Sequence, residues 1–329
     1  MPTNLPPEAL EAERRYRAAQ SHEEKIASLE EYLGLIPKHK GTDKLRADLR
    51  KRLSKLKSSS QGRKGSSTRI SPFSIRKEGA GQVVLLGTTN VGKSALLAAL
   101  TNATAQVSAS PYTTWKPAPG MMPVENIQIQ LIDTPPLNKD YVEPELFNLV
   151  RGVDLIVLVV DLQAGPIRQL EECLEVLQEQ RIIPQRLRER YAEQRRLTFK
   201  PFLVIVNKND DESMDEDFEI LCALLEEDWG CLPISVASGR NLEQFKQMVF
   251  QELEIIRVYS KVPGKEPDLS SPFVLRKGGT VADFAEGVHR DFYENLKAAR
   301  VWGSSSAFEG QMVQRDHVLQ DGDVVELRI

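Results

Sequence analysis

The run Gly87-Thr88-Thr89-Asn90-Val91-Gly92-Lys93-Ser94 constrains this chain more than any other feature. It has the spacing G-x-x-x-x-G-K-[ST], in which a glycine-rich loop wraps its amides round a phosphate. Residues 82–86 before it form an apolar run of strand length, and residues 95–100 after it have helical composition. Strand, glycine turn and helix in that order aim backbone N–H groups and a helix dipole at an anion. In that setting Lys93 reaches the β- and γ-phosphates and Ser94 supplies a Mg²⁺ ligand. Gly87, Asn90, Val91, Gly92 and Ala95 make up the rest of the cradle. A strand–helix turn that binds nothing is the poorer reading once both flanks are in place.

Downstream, apolar runs alternate with helical patterns. Residues 128–132, 155–160, 202–206 and 232–234 read as strands, and 169–179, 215–227 and 242–254 as helices. This alternation predicts an α/β fold, a mostly parallel sheet with helices on both faces. Ligands of such sheets lie outside the carboxyl ends of the strands. The remaining motifs all follow strand ends.

After residues 128–132 stands Asp133-Thr134-Pro135-Pro136. Facing a phosphate loop, such an Asp holds Mg²⁺ through water; alone it would be a turn initiator. After residues 202–206 stands Asn207-Lys208-Asn209-Asp210, an N-K-x-D run. The Asp210 carboxylate can accept from guanine N1–H and the 2-amino group, an edge that adenine lacks. A buried acceptor left unpaired is costly, so one residue discriminates strongly, and an ATPase reading is opposed. Ser235-Val236-Ala237 follows the next strand, where the Val236 N–H can donate to guanine O6. Between the phosphate loop and Asp133 lies Tyr112-Thr113-Thr114-Trp115. A threonine there can bring its hydroxyl to Mg²⁺ and its N–H to a γ-phosphate, or the stretch is a plain polar loop.

The flanks have a different character. Residues 1–60 read as a helical hairpin, with helical spacing over 7–33, a break at 34–41 and a second arm over 42–56. Its readings are a docking arm or a solvated hairpin. Residues 61–80 read as a basic linker, within a block (50–77) that holds ten Lys/Arg and no acid. The chain as a whole carries a net charge of −4, so polyanion binding must be local, and this block suits a phosphate backbone or is simply solvated. Residues 81–254 form the nucleotide domain. From 255 to 329 short strands surround one helix starting near Val281, capped by Thr280, with Asp321-Gly322 as a turn before the last strand. Cys173, Cys222 and Cys231 show no paired spacing, and no run approaches a membrane span. A cytoplasmic protein that does not enter a membrane is the expectation.

The four motifs together resemble the translation-factor-related GTPases in their Obg-like branch, and within it the developmentally regulated GTP-binding proteins. Tyr112-Thr113-Thr114 looks like that branch's F-T-T, which selects Thr114 over Thr113 as metal ligand. Ile36-Pro37-Lys38-His39-Lys40-Gly41-Thr42 resembles the turn of their N-terminal hairpin. Ile256-Arg257-Val258-Tyr259, Val301-Trp302-Gly303 and Asp316-His317-Val318-Leu319 resemble their TGS domain, a ubiquitin-like β-grasp fold. The resemblance implies a GTPase (P-loop) domain binding GTP and GDP with Mg²⁺ on Ser94, Thr114 and Asp133. It implies catalysis through Lys93 and Thr114, and a ribosome or rRNA partner reached through the basic linker and TGS domain.

Three departures qualify the expected activity. Pro136 stands where the family's D-x-x-G has glycine, so the backbone donor to a γ-phosphate is missing. Leu137 follows, so no glutamine orients water. The domain that close relatives insert has no counterpart, and residues 162–201 read as a helix plus a basic extension containing Arg181, Arg186, Arg188, Arg190, Arg195 and Arg196. Asn90 occupies the position that ligates K⁺ in K⁺-dependent members of the wider group, or it only braces the loop. The expectation is a slow Mg²⁺-dependent switch, with a non-hydrolysing GTP-binding module as the alternative. Lys93→Ala is expected to abolish nucleotide binding and Asp210→Asn to shift preference from GTP toward XTP. Calorimetric titration with both nucleotides checks this, and unchanged GTP affinity in the two variants refutes the site.

Overall fold

The structure, a computed structural model, describes residues 7–18, 22–36, 42, 46, 49, 71–101, 116–137 and 142–329. The chain divides into two compact units, Met1–Ser71 and Pro72–Ile329. In the first, α1 (Pro7–Ala18) and α2 (His22–Leu35) bury Ala12, Leu29, Tyr32 and Ile36 in one cluster with Leu49. The stretch read as one helix over 7–33 is therefore two, joined across the pair by Arg15 and Glu31 at 3.2 Å. Of the expected second arm only Thr42, Arg46 and Leu49 are described. Arg46 N–H donates to Thr42 O at 2.9 Å, one helical turn, and its guanidinium donates to Ile36 O at 2.5 Å. Residues 50–70, which hold most of the basic block, lie outside the described residues.

The second unit contains both remaining domains. Six strands form the first sheet: β1 (Gln82–Leu86), β2 (Ala118–Val124), β3 (Ile127–Asp133), β4 (Leu155–Asp161), β7 (Phe202–Asn207) and β8 (Leu232–Pro233), in the order β2-β3-β1-β4-β7-β8. β3, β1, β4, β7 and β8 are parallel, and β2 returns antiparallel beside β3. Val84, Leu86, Ile156, Leu158, Val204 and Val206 face one side and pack on α4 (Pro144–Gly152), α5 (Pro166–Glu179) and α6 (Asp215–Leu224). Val83, Leu85, Val157, Val159, Leu203 and Ile205 face the other, toward α3 (Lys93–Leu100) and α7 (Leu242–Glu252). Burial on both faces explains why these strands read as unbroken apolar runs.

β2 escapes sequence reading because Pro119, Gly120 and Pro123 interrupt it. Proline cannot donate to a ladder, and β2 lies at the sheet edge, where one side needs no partner. Residues 72–80, read as the end of a linker, belong to this unit. Phe73 is buried in the core, and Ala80 N–H donates to Gln128 O at 2.7 Å. The expected basic extension is also structured. β5 (Ile182–Pro184) and β6 (Thr198–Lys200) pair in parallel, with short 3₁₀ turns at Gln185–Leu187 and Glu189–Tyr191. Arg186 lies over Trp229, Arg188 over Phe199, and Arg190 pairs with Glu227 at 2.5 Å.

β9 (Ile255–Ser260), β10 (Phe273–Arg276), β11 (Ala298–Trp302), β12 (Gln311–Val313) and β13 (Val324–Arg328) form a second sheet in the order β10-β9-β13-β11-β12. β9 and β13 pair in parallel, the other neighbours antiparallel. α8 (Val281–Val288) lays Val281, Phe284 and Ala285 on this sheet, followed by the short α9 (Arg290–Asn295). Thr280 caps α8 as expected, in a reciprocal box with Asp283. This is the β-grasp arrangement. Arg257, 14% exposed, fastens it to the β2–β3 turn. Its guanidinium grips Asp321 at 2.7 and 3.0 Å, pairs with Glu125 and lies over Phe250. Asn126 of the same turn donates to the Tyr259 hydroxyl at 2.7 Å. Arg257→Ala is expected to destabilise the protein by about 1–2 kcal/mol, since Glu125 is exposed and Asp321 half-buried. Thermal unfolding measures the loss, and limited proteolysis shows whether the small domain loosens first.

Candidate functional site

The phosphate loop joins β1 to α3 through three residues in the left-handed region, Gly87 (φ 158°), Asn90 (φ 65°) and Gly92 (φ 97°). Glycine is required at two of them by space as well as dihedral. A Cβ on Gly87 would meet Val159 O at 2.4 Å, and one on Gly92 would meet Asn207 Nδ2 at 2.3 Å. Asn90 is exposed at the loop's tip, and Ala95 is exposed in the first turn of α3. Lys93 is 7% exposed, and its ammonium donates to Gly87 O at 2.9 Å and Thr88 O at 2.8 Å. Burial pulls its pKa down to about 8, with Asp133 opposing.

Ser94 Oγ donates to Asp133 Oδ2 at 2.5 Å, so two of the three expected metal ligands meet. Asp133 Oδ1 is buried and has no hydrogen-bond partner, and burial raises the carboxyl's pKa against the Ser94 bond and Lys93. An orphaned buried carboxylate oxygen beside a hydroxyl is the hard oxygen donor set of a divalent cation such as Mg²⁺. Thr113 and Thr114 lie outside the described residues. Thr134 Oγ1 is turned away, donating to Leu85 O at 2.7 Å. Beyond Pro136, which has no N–H, the Leu137 N–H donates to Gly87 O at 3.1 Å.

The guanine motif begins where β7 ends. Asn207 is buried and its side chain bridges three loops. Nδ2 donates to Val91 O at 2.8 Å, and Oδ1 accepts from Val236 N–H at 3.3 Å. The Val236 amide, expected to face the base, is thus turned to Asn207. Lys208 sits at φ 67° and pairs with Asp161 at the end of β4. Asp210 Oδ1 accepts from Ser235 Oγ at 2.6 Å. Ala237 follows in the same loop. The structure therefore brings the 87–94, 133, 207–210 and 235–237 segments to one end of the sheet. It adds Asp161, Gln163 and Arg240, which no motif contains. Gln163 Nε2 donates to Lys208 O at 3.0 Å. Asp161 ends a strand beside the motif, a position that strand alignment alone could have flagged.

Known proteins resemble this chain over both domains of the second unit. Residues 82–208 match a family described as 50S ribosome-binding GTPase, and residues 256–329 match the TGS domain. An uncharacterized GTP-binding protein of Methanocaldococcus jannaschii is 30% identical, over 93% of this chain and 93% of the relative. The chain belongs to the Obg-like GTP-binding proteins, in their developmentally regulated branch. Developmentally-regulated GTP-binding protein 2 of Homo sapiens is 23% identical, covering 92% of this chain and 98% of its own. In fold, the chain is similar to the Schizosaccharomyces pombe YchF GTPase, with a TM-score of 0.53, 15% identity, 77% of this chain and 99% of that one.

The match to the archaeal relative runs over 365 positions, more than the 329 residues present here, so that relative carries segments without a counterpart. In this chain the β5–β6 pair lies in the crossover from α5 to β7. Among the described residues no helix is long and apolar enough to cross a membrane. Asn207→Ala removes both bridging bonds and leaves the Val91 carbonyl with one donor fewer. It is expected to lower guanine-nucleotide affinity by about tenfold or more, and thermal stability by about 1–3 kcal/mol. Calorimetry and a melting curve measure the two effects.

Proposed function

We propose that this Obg-like protein is a slow GTPase that uses Mg²⁺ and works as a ribosome-associated switch in translation or ribosome assembly. The observation that carries the reading is the orphaned Asp133 oxygen beside Ser94 and Lys93, on the same sheet end as the Asp210–Ser235 pair. Mg²⁺, held by Ser94, Asp133 and Thr114, would neutralise charge on the β- and γ-phosphates. Lys93 binds phosphate oxygens in place of the Gly87 and Thr88 carbonyls it now meets, and stabilises charge as the bond to the γ-phosphoryl group breaks. Asp210, aimed by Ser235, selects guanine, while Asn207 keeps base and phosphate ends in register.

Slowness follows from what is missing. Pro136 offers no N–H, the next amide is engaged with Gly87 O, and no side chain of the described site is placed as a general base. The same observation favours a second reading, a GTP-binding interaction module that does not hydrolyse. K⁺ at Asn90 would supply charge neutralisation that the protein otherwise lacks, as part of the first reading. Support for a ribosomal partner comes from the family description matched over residues 82–208 and from the basic block in residues 50–77. A cytoplasmic location goes with that partner.

Single-turnover hydrolysis, with Na⁺ or K⁺ and with or without large ribosomal subunits, separates the readings. The switch is expected to release phosphate slowly, faster with K⁺ or subunits. Release absent under every condition supports the module. Cosedimentation with ribosomes that survives charge reversal across residues 51–69 removes the basic block from the explanation.

A further inference from the structure

The carboxylate that reads the base stands on a loop, so something must fix its aim. Asp210 is flanked by Asn209, which is 0% exposed, and by Asp211. Asn209 N–H donates to Ile234 O at 3.1 Å, and its Nδ2 to Asp215 Oδ1 at 3.2 Å. Its Oδ1 accepts from the guanidinium of Arg240. Arg240 also donates to Asp211 O at 3.1 Å and forks onto Asp215 at 2.8 and 2.7 Å. Its carbonyl accepts from Ser235 N–H at 3.1 Å, and Ser235 Oγ is the group that holds the Asp210 carboxylate. One side chain thus grips the residues on both sides of Asp210. Its backbone anchors the serine that grips Asp210 itself.

We propose that Arg240 is a positioning residue for guanine specificity, closing the loops at 207–211 and 235–240 into one ring around Asp210. Asp215, at the start of α6, is its counter-ion. Neither belongs to a nucleotide motif. Lysine cannot take the place of arginine, because a single ammonium does not supply a planar fork to Asp215 together with donors to Asn209 and Asp211. The inference rests on Asp210 being the base-recognising group.

Hypoxanthine lacks the 2-amino group, so the ratio of GDP to IDP affinity reports how well both carboxylate oxygens are aimed. Competition binding on the full chain measures that ratio in the parent, Arg240→Ala, Arg240→Lys and Asp210→Ala. Arg240→Ala is expected to cut the parent ratio by about fivefold or more, and Arg240→Lys to restore it only in part. A general loosening of the fold would weaken GDP and IDP alike and leave the ratio in place. Where Arg240→Ala does not fold, Asp215→Asn opens the same fork and is read in the same way. A folded variant whose ratio stays within twofold of the parent, while Asp210→Ala abolishes the preference, overturns the role of Arg240 alone. A parent preference that Asp210→Ala leaves intact overturns the reading of Asp210, and the inference with it.

Discussion

One amide side chain ties the whole site together. Asn207 reaches from the end of β7 to the Val91 carbonyl in the phosphate loop and receives the Val236 amide from the loop after β8. The loops assigned to phosphate and to base therefore share one buried hydrogen-bonded centre. The close approach it demands is visible at Gly92, where a methyl group would collide with the Asn207 amide. A buried amide left without partners costs more than the bonds gain, so the three loops are held together or fail together. The parallel sheet is what makes this reach possible, because β1, β4, β7 and β8 run side by side and end at the same edge.

The same sheet extends the site toward the small domain. β3 ends in Asp133, a candidate metal ligand, and begins just past the turn held by Arg257 and Tyr259. β2 leads into that turn from the segment that follows Thr114. The two strands are rigidly paired over seven residues. A clamp at one end of this hairpin and the candidate metal-binding carboxylate at the other are joined by backbone hydrogen bonds rather than by a loose linker.

Much of the site was legible because its motifs are local. The phosphate loop, N-K-x-D and the Asp after β3 are each set by a strand end and a few following residues, and strand ends are readable from apolar runs. The cap at Thr280 was legible for the same reason. β2 was not, since its prolines contradict strand propensity and only its edge position makes them tolerable. The split of residues 7–33 into two helices, the fold-in of residues 72–80 and the β5–β6 pair were hidden because tertiary burial decides them. Arg186, Arg188 and Arg190 read as part of a basic extension. Their stacking on Trp229 and Phe199 and their pairing with Glu227 depend on residues close in space, some distant in sequence.

Sequence alone determined the α/β class, a tail of short strands around one helix, and the places of the phosphate and guanine motifs at strand ends. These rest on periodicity, glycine conformational freedom and the donor pattern of a carboxylate, all of which act within a few residues. Tertiary structure alone decided how those motifs are aimed. Only there do Asn207 meet Val91, Lys208 meet Asp161, Arg240 meet Asn209, and Leu137 spend its amide on Gly87. The physical reason is that hydrogen-bond partners far apart in the chain are chosen by the packing of the sheet, and no local pattern encodes them.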